Sequence, residues 1–190
     1  HASVVEVLLG DERVDRNIVD KTNGFTALMI AAYKGHDSVV EVLLGDERVD
    51  RNIVDKTNGY TALMYAADIG HASVVEVLLG DERVDRNIVD KMNGFTALIY
   101  AAYRGHASVV EVLLGDERVD RNIATEKNGY TALMYAACTG HASVVEVLLG
   151  DERVDRNIVD KTNGFTALMI AAYKGHDSVV EVLLGDERVD

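Results

Sequence analysis

The 190-residue sequence predicts an all-α fold, a helix-turn-helix solenoid with short hairpin loops. Three observations carry that reading. Gly-His recurs at Gly35-His36, Gly70-His71, Gly105-His106, Gly140-His141 and Gly175-His176, a fixed period of 35 residues. Within each period, two short segments place apolar residues at i, i+3 and i+4, the spacing of one helix face, with no period-two alternation. Asn-Gly pairs and single glycines punctuate the segments, while the chain has no proline at all.

In chain order, one unit starts at Asn58-Gly59, a tight-turn pair. Thr61 offers an N-cap for a first helix, and Leu63, Ala66 and Ala67 form its apolar stripe. Small alanines let a neighbouring helix approach closely. Gly70 is placed to end this helix as a C-cap. Ser73 is expected to cap a second helix, with Val74, Val75, Leu78 and Leu79 buried, Glu76 outside and Gly80 as its end. Its valines are weak helix formers, so packing must hold it. Asp81 to Lys91 reads as a long, solvated polar loop anchored by Val84, Ile88 and Val89. Each Gly-His is expected to mark the turn between helices and to hydrogen-bond locally. Two short helices cannot bury one apolar face alone, and stacking copies of the unit solves that problem.

The copies are nearly identical. Ser-Val-Val-Glu-Val-Leu-Leu-Gly-Asp-Glu-Arg-Val-Asp occurs six times, first at Ser3 and last at Ser178, and residues 1–50 equal residues 141–190. The expectation is one continuous solenoid over 1–190, with five inner and six outer helices, truncated at both ends and cut from a longer array. Val/Leu surface is expected at both ends. A designed array would read the same way.

The stretch Gly59-Tyr60-Thr61-Ala62-Leu63-Met64-Tyr65-Ala66-Ala67-Asp68-Ile69-Gly70-His71 resembles the ankyrin-repeat family pattern. Val74-Val75, Leu78-Leu79 and Asp85-Arg86-Asn87 are similar to that family's second helix and loop. The resemblance covers the whole chain. It departs where Ala27, Ala62, Ala97, Ala132 and Ala167 replace the family proline. Met29, Met64, Ile99, Met134 and Met169 replace the family histidine, and the unit is two residues longer, in the loop. The resemblance implies an interaction scaffold whose first helices and hairpin tips line a partner-binding groove.

Composition bounds the rest. The net charge of −13 argues against nucleic-acid phosphates or anionic lipid as partners. No apolar run is long enough to span a membrane, and no signal-peptide pattern opens the chain. A single cysteine, Cys138, fits a reducing compartment, and a cytoplasmic location is expected. The histidines stand too far apart to share a metal ion, and no nucleophile motif or phosphate-binding loop is present. No catalytic residue, cofactor, metal or small-molecule substrate is expected, because identical units build no unique pocket.

The differences between copies cluster at the end of the first helix. They pick out Tyr33, Lys34, Tyr65, Asp68, Ile69, Tyr100, Tyr103, Arg104, Tyr135, Cys138, Thr139, Tyr173 and Lys174 as candidate partner-binding groove residues. Tyrosine and arginine suit such a surface, although drift at unconstrained exposed positions produces the same pattern. An acidic chain favours a partner with a basic patch. The second helix and loop hardly vary, which follows from recent duplication or from one contact repeated at every unit. On the latter reading Glu41, Asp46, Glu47, Arg48 and Arg51 form a lateral contact face, and the partner is a copy of the chain itself in a rod, tube or filament.

Overall fold

The computed structural model describes residues 2–189, and within them every regular element is an α-helix. These are α1 (Ala2–Leu9), α2 (Ala27–Lys34), α3 (Asp37–Gly45), α4 (Ala62–Ile69), α5 (Ala72–Gly80), α6 (Ala97–Arg104), α7 (Ala107–Gly115), α8 (Ala132–Thr139), α9 (Ala142–Gly150), α10 (Ala167–Lys174) and α11 (Asp177–Leu184). Even-numbered helices stack on one another as an inner row. Odd-numbered helices stack as an outer row, and each inner helix packs on the outer helix that follows it.

The inner helices begin and end on the residues their sequence marks. The Thr61 hydroxyl accepts the Met64 N–H at 3.2 Å, and Thr26, Thr96, Thr131 and Thr166 repeat that cap. Gly70 closes α4 in the left-handed region at φ 94°. The His106 ring of the next unit lies 2.9 Å from where a Cβ on Gly70 would stand, so the position excludes any side chain twice over.

The outer helices end at the expected glycine but differ from expectation at their start. His71 occupies the N-cap of α5 and makes no side-chain cap bond; Ser73 is the second helical residue and is exposed. Gly80 is the last helical residue, and Asp81 closes the helix through its N–H to the Leu78 carbonyl at 3.2 Å.

The core runs unbroken along the stack between the rows. Leu63, Met64, Ala66, Ala67, Val74, Val75 and Leu78 are buried in one unit, and their counterparts repeat in the next. Met64 sits fully inside, so an apolar chain replaces a polar one where the core accepts it. Each large side chain buried this way contributes about 1.5–3 kcal/mol. At the first and last outer helices Val4, Val7, Leu8 and Leu184 are exposed.

The Asp-Glu-Arg-Val-Asp-Arg run is only partly solvated: Glu82, Arg83 and Asp85 are exposed, whereas Val84 and Arg86 are buried. Arg51, expected on an exposed lateral face, is buried. Its Nε donates to Asp81 of the next unit at 2.8 Å and its Nη2 to the Leu44 carbonyl at 2.7 Å. Arg83 holds the same Asp81 carboxylate at 2.8 Å and reaches back to the Leu44 carbonyl at 3.3 Å. Leu44 lies in the last turn of α3, where carbonyls lack helical partners, and two guanidinium groups satisfy it. Arg16–Asp46, Arg86–Asp116, Arg121–Asp151 and Arg156–Asp186 repeat the clasp at 2.9–3.1 Å. Asp46 is therefore half-buried and engaged by Arg16 and Arg48, instead of standing free. The hydrogen bond from Arg83 holds the Asp81 carboxyl well below the usual carboxylate range, against the opposing push of burial. Asn52 adds a second bridge between loops, donating to the Arg83 carbonyl and accepting the Asp85 N–H, both at 2.8 Å.

Candidate functional site

The inner row leaves one line of side chains exposed at the C-terminal ends of its helices. Tyr33, Lys34, Ile69, Tyr103, Arg104, Tyr173 and Lys174 all lie there and are exposed, as the sequence predicts. Asp68, Cys138 and Thr139 are half-buried in the same line. The Thr139 hydroxyl donates to the Tyr135 carbonyl at 2.8 Å, and the Cys138 carbonyl is 3.1 Å from Nε2 of His176.

Each cation on this line rests over the tyrosine beside it. Lys34 Nζ is 5.3 Å from the Tyr33 ring centroid, the Arg104 guanidinium 5.5 Å from Tyr103, and Lys174 Nζ 5.9 Å from Tyr173. Arg104 also donates from Nε to Asp68 Oδ1 of the preceding unit at 2.7 Å. Histidines fix the spacing between units here. His71 Nε2 lies 3.2 Å from the Tyr33 carbonyl, and His141 Nε2 3.1 Å from that of Tyr103. The histidine bond is thus made to the preceding unit and is not local to its own turn.

Tyr65 and Tyr100 do not belong to this surface. They are only 6% and 3% exposed, because their rings turn into the junction with the preceding unit. Tyr65 stacks against Phe25, Tyr33 and Tyr60 at centroid distances of 5.1–5.8 Å, and Tyr100 against Tyr60 and Phe95 at 4.7 and 5.1 Å. Their hydroxyls donate to Asp55 and Asp90 at 2.9 and 2.7 Å. Burial, reinforced by the aspartate each faces, raises both phenols above the usual tyrosine range. Tyr135 is half-buried, since Thr125 replaces the aspartate in its unit and its hydroxyl meets Asn128 at 3.3 Å instead. The expected groove therefore narrows to the helix ends, with the tyrosine ladder beneath it as support.

Charge divides between the rows. The five inner helices carry three cations and one anion; the six outer helices carry eight carboxylates and no cation. Between successive outer helices lies an open groove. One of these, about 690 Å³, is lined by Leu79, Val112, Gly115, the carboxylates of Glu76, Glu82 and Glu111, and Arg118. Glu41, Glu47 and Arg48 are exposed on this side. Among the described residues no three His, Cys, Asp or Glu side chains gather into a metal-binding group, and no helix is long and apolar enough to cross a membrane.

The family model for ankyrin repeats (3 copies) matches residues 1–88, 70–160 and 117–190. The chain belongs to the ankyrin-repeat family. Its units are similar to those in the crystal structure of EF0377, an ankyrin repeat protein, with a TM-score of 0.85 and 28% identity over 97% of this chain and 92% of that one. A search of curated proteins returns no match. Ankyrin repeats are in general protein–protein interaction scaffolds, so the exposed line on the inner row of this ankyrin array is the surface to weigh for such a role. Sequence reasoning missed the Arg–Asp clasp and the tyrosine–aspartate pairs. Both join residues of different local elements, and nothing within one helix or loop marks them.

Proposed function

We propose that this ankyrin array is a non-enzymatic scaffold that holds a protein partner along the exposed ends of its inner helices. One observation carries the reading. Tyr33, Ile69, Tyr103 and Tyr173 present apolar and aromatic area to solvent in a single line at the ends of the inner helices, above a row whose Leu and Ala stripe is largely buried. Rigid aromatic anchors of this kind concentrate binding energy. Lateral self-association through the outer row has less to recommend it. Arg51 is committed to the clasp, and outer helices that bear carboxylates and no cation, offset only by loop arginines such as Arg48 and Arg118, disfavour a copy of themselves.

The test is selection of a displayed random-peptide library on the intact chain and on a Tyr33→Ser, Ile69→Ser, Tyr103→Ser variant. These side chains are about 40% exposed, so the variant should keep the helical circular dichroism of the parent, with melting lowered only by the lost ring contacts of Tyr33 to Tyr65 and Tyr103 to Tyr135. Peptides selected on the parent should lose at least tenfold in affinity for the variant, about 1.4 kcal/mol or more. Peptides that bind both chains equally would place the interaction surface elsewhere.

A further inference from the structure

We infer that the partner held on the inner row is an extended acidic segment whose carboxylates recur about every six residues. This deepens the scaffold reading and rests on it. The chain's net charge of −13 points the other way, to a basic partner, but the charge is not spread evenly. Carboxylates crowd the outer helices, whereas the inner helices carry Lys34, Arg104 and Lys174 against the single anion Asp68. At about 0.15 M salt, charges beyond roughly 8 Å are screened, so a ligand on the inner row responds to the cations beside it more than to the distant outer face.

The cations come at a fixed register. Lys34, Arg104 and Lys174 are each separated by two units, and the unit between carries Asp68-Ile69 or Cys138-Thr139. Stacked helices lie about 8–10 Å apart, so successive cations stand about 16–20 Å apart along the row. An extended chain advances about 3.3 Å per residue, which sets the spacing of about six residues. Between cations the partner crosses Ile69 in one interval and the half-buried Cys138 and Thr139 in the other, surfaces that accept small or apolar side chains. Each cation is already stacked on a tyrosine, so it is held in place and its aliphatic stem packs on the ring. Arg104 uses Nε for Asp68, and a guanidinium has further N–H donors for a carboxylate of the partner.

The probe is a fluorescein-labelled peptide of about sixteen residues with Glu-Glu pairs about six residues apart on a Gly-Ser-Ala background. A peptide of the same composition with its glutamates gathered at one end serves as control. Fluorescence anisotropy at about 0.15 M salt should show the spaced peptide binding at least fivefold tighter than the gathered one. The combined variant Lys34→Gln, Arg104→Gln, Lys174→Gln should weaken it at least tenfold. Asp68→Asn, which removes the one anion on the row, should tighten it about threefold, an effect no loss of folding produces. Equal binding of the two peptides, or an unaffected triple variant, overturns the inference. The two readings fail separately. Library peptides that need Tyr33 and Tyr103 but carry no acidic residues sink the acidic partner and leave the scaffold. Library peptides indifferent to those tyrosines sink the scaffold, whatever the glutamate peptide does.

Discussion

Tyr100 and Ile170 hold the same position in units two apart, and their aspartates fare differently. Asp90 Oδ2 receives the Tyr100 hydroxyl at 2.7 Å as well as the Phe95 N–H at 2.9 Å. Ile170 has no donor to give, and Asp160 Oδ2 is buried with no partner. An unsatisfied buried acceptor costs about 1–3 kcal/mol. Ile170→Tyr is therefore expected to stabilise the chain by about 1 kcal/mol, read as a higher urea midpoint with an unchanged slope; no shift would mean the new ring cannot enter the junction. Tyr100→Phe should do the opposite, by about 1.5–3 kcal/mol, since its hydrogen bond goes to a charged group. The same buried phenols set a limit at alkaline pH. A pKa raised on folding gives stability that is complete below the unfolded value near 10 and is lost as pH rises through the folded value. Absorbance at 295 nm should show Tyr65 and Tyr100 ionising late and together with the loss of helical signal. Ionisation of all eight tyrosines near pH 10 with the helices intact would contradict the buried Tyr–Asp pairs.

At the scale of one helix, the two helix-end glycines of a unit obey opposite rules. Gly80 is helical at the end of α5, and an added Cβ there meets nothing within 4 Å. Gly70 sits at φ 94° under the His106 ring. Gly80→Ala should stabilise by about 0.5–1 kcal/mol through a less flexible unfolded chain and better helix propensity. Gly70→Ala should destabilise by more than that, and thermal melts of the two variants give the signs directly. A helix ends at both glycines, as the sequence indicates, but only Gly70 does it in the left-handed region, outside the helix. The inner helices were legible because their signals are local: Thr61 three residues before Met64, Gly70 after the last apolar turn. The outer helix starts were misread because His71 holds the N-cap without bonding, so Ser73 looked like the better candidate. Of the expected groove, Tyr33, Ile69, Tyr103 and Tyr173, marked by the differences between copies, are exposed. Tyr65 and Tyr100 did not, because the acceptors that draw them inward, Asp55 and Asp90, lie ten residues earlier in a loop. Arg51 looked like a solvated charge for a similar reason: its partner, Asp81, is thirty residues away.

Across the whole array, units are joined by the two helix rows and by the Arg–Asp clasp, and the clasp is the part that answers to pH. Hydrogen bonds from Arg48, Arg83, Arg118, Arg153 and Arg188 hold Asp46, Asp81, Asp116, Asp151 and Asp186 well below the usual carboxylate range. A pKa lowered on folding gives stability that is complete above the unfolded value near 3.9 and is lost as pH falls through the folded one. The array should accordingly lose stability as the pH drops below about 4, with urea midpoints falling steadily. Flat midpoints from neutrality down to about pH 2 would show that these carboxylates titrate alike folded and unfolded. The clasp also bears on cooperativity. Solenoid units touch only their neighbours, so unfolding spreads along the array only as far as the junctions transmit it. Arg86→Gln removes the bond to Asp116 and those to the Leu79 and Val84 carbonyls, while Arg118 still holds Asp116. Breaking a buried pair on one side costs about 3 kcal/mol; the lost Asp116 bond weakens one junction, and the lost Leu79 and Val84 bonds loosen the loop that carries it. The units before and after it should then unfold more independently, giving a lower or two-step urea slope than Leu78→Ala, a core change of similar cost that leaves every clasp in place. A lower midpoint with an unchanged slope for Arg86→Gln would assign the coupling between units to the packed helix rows alone.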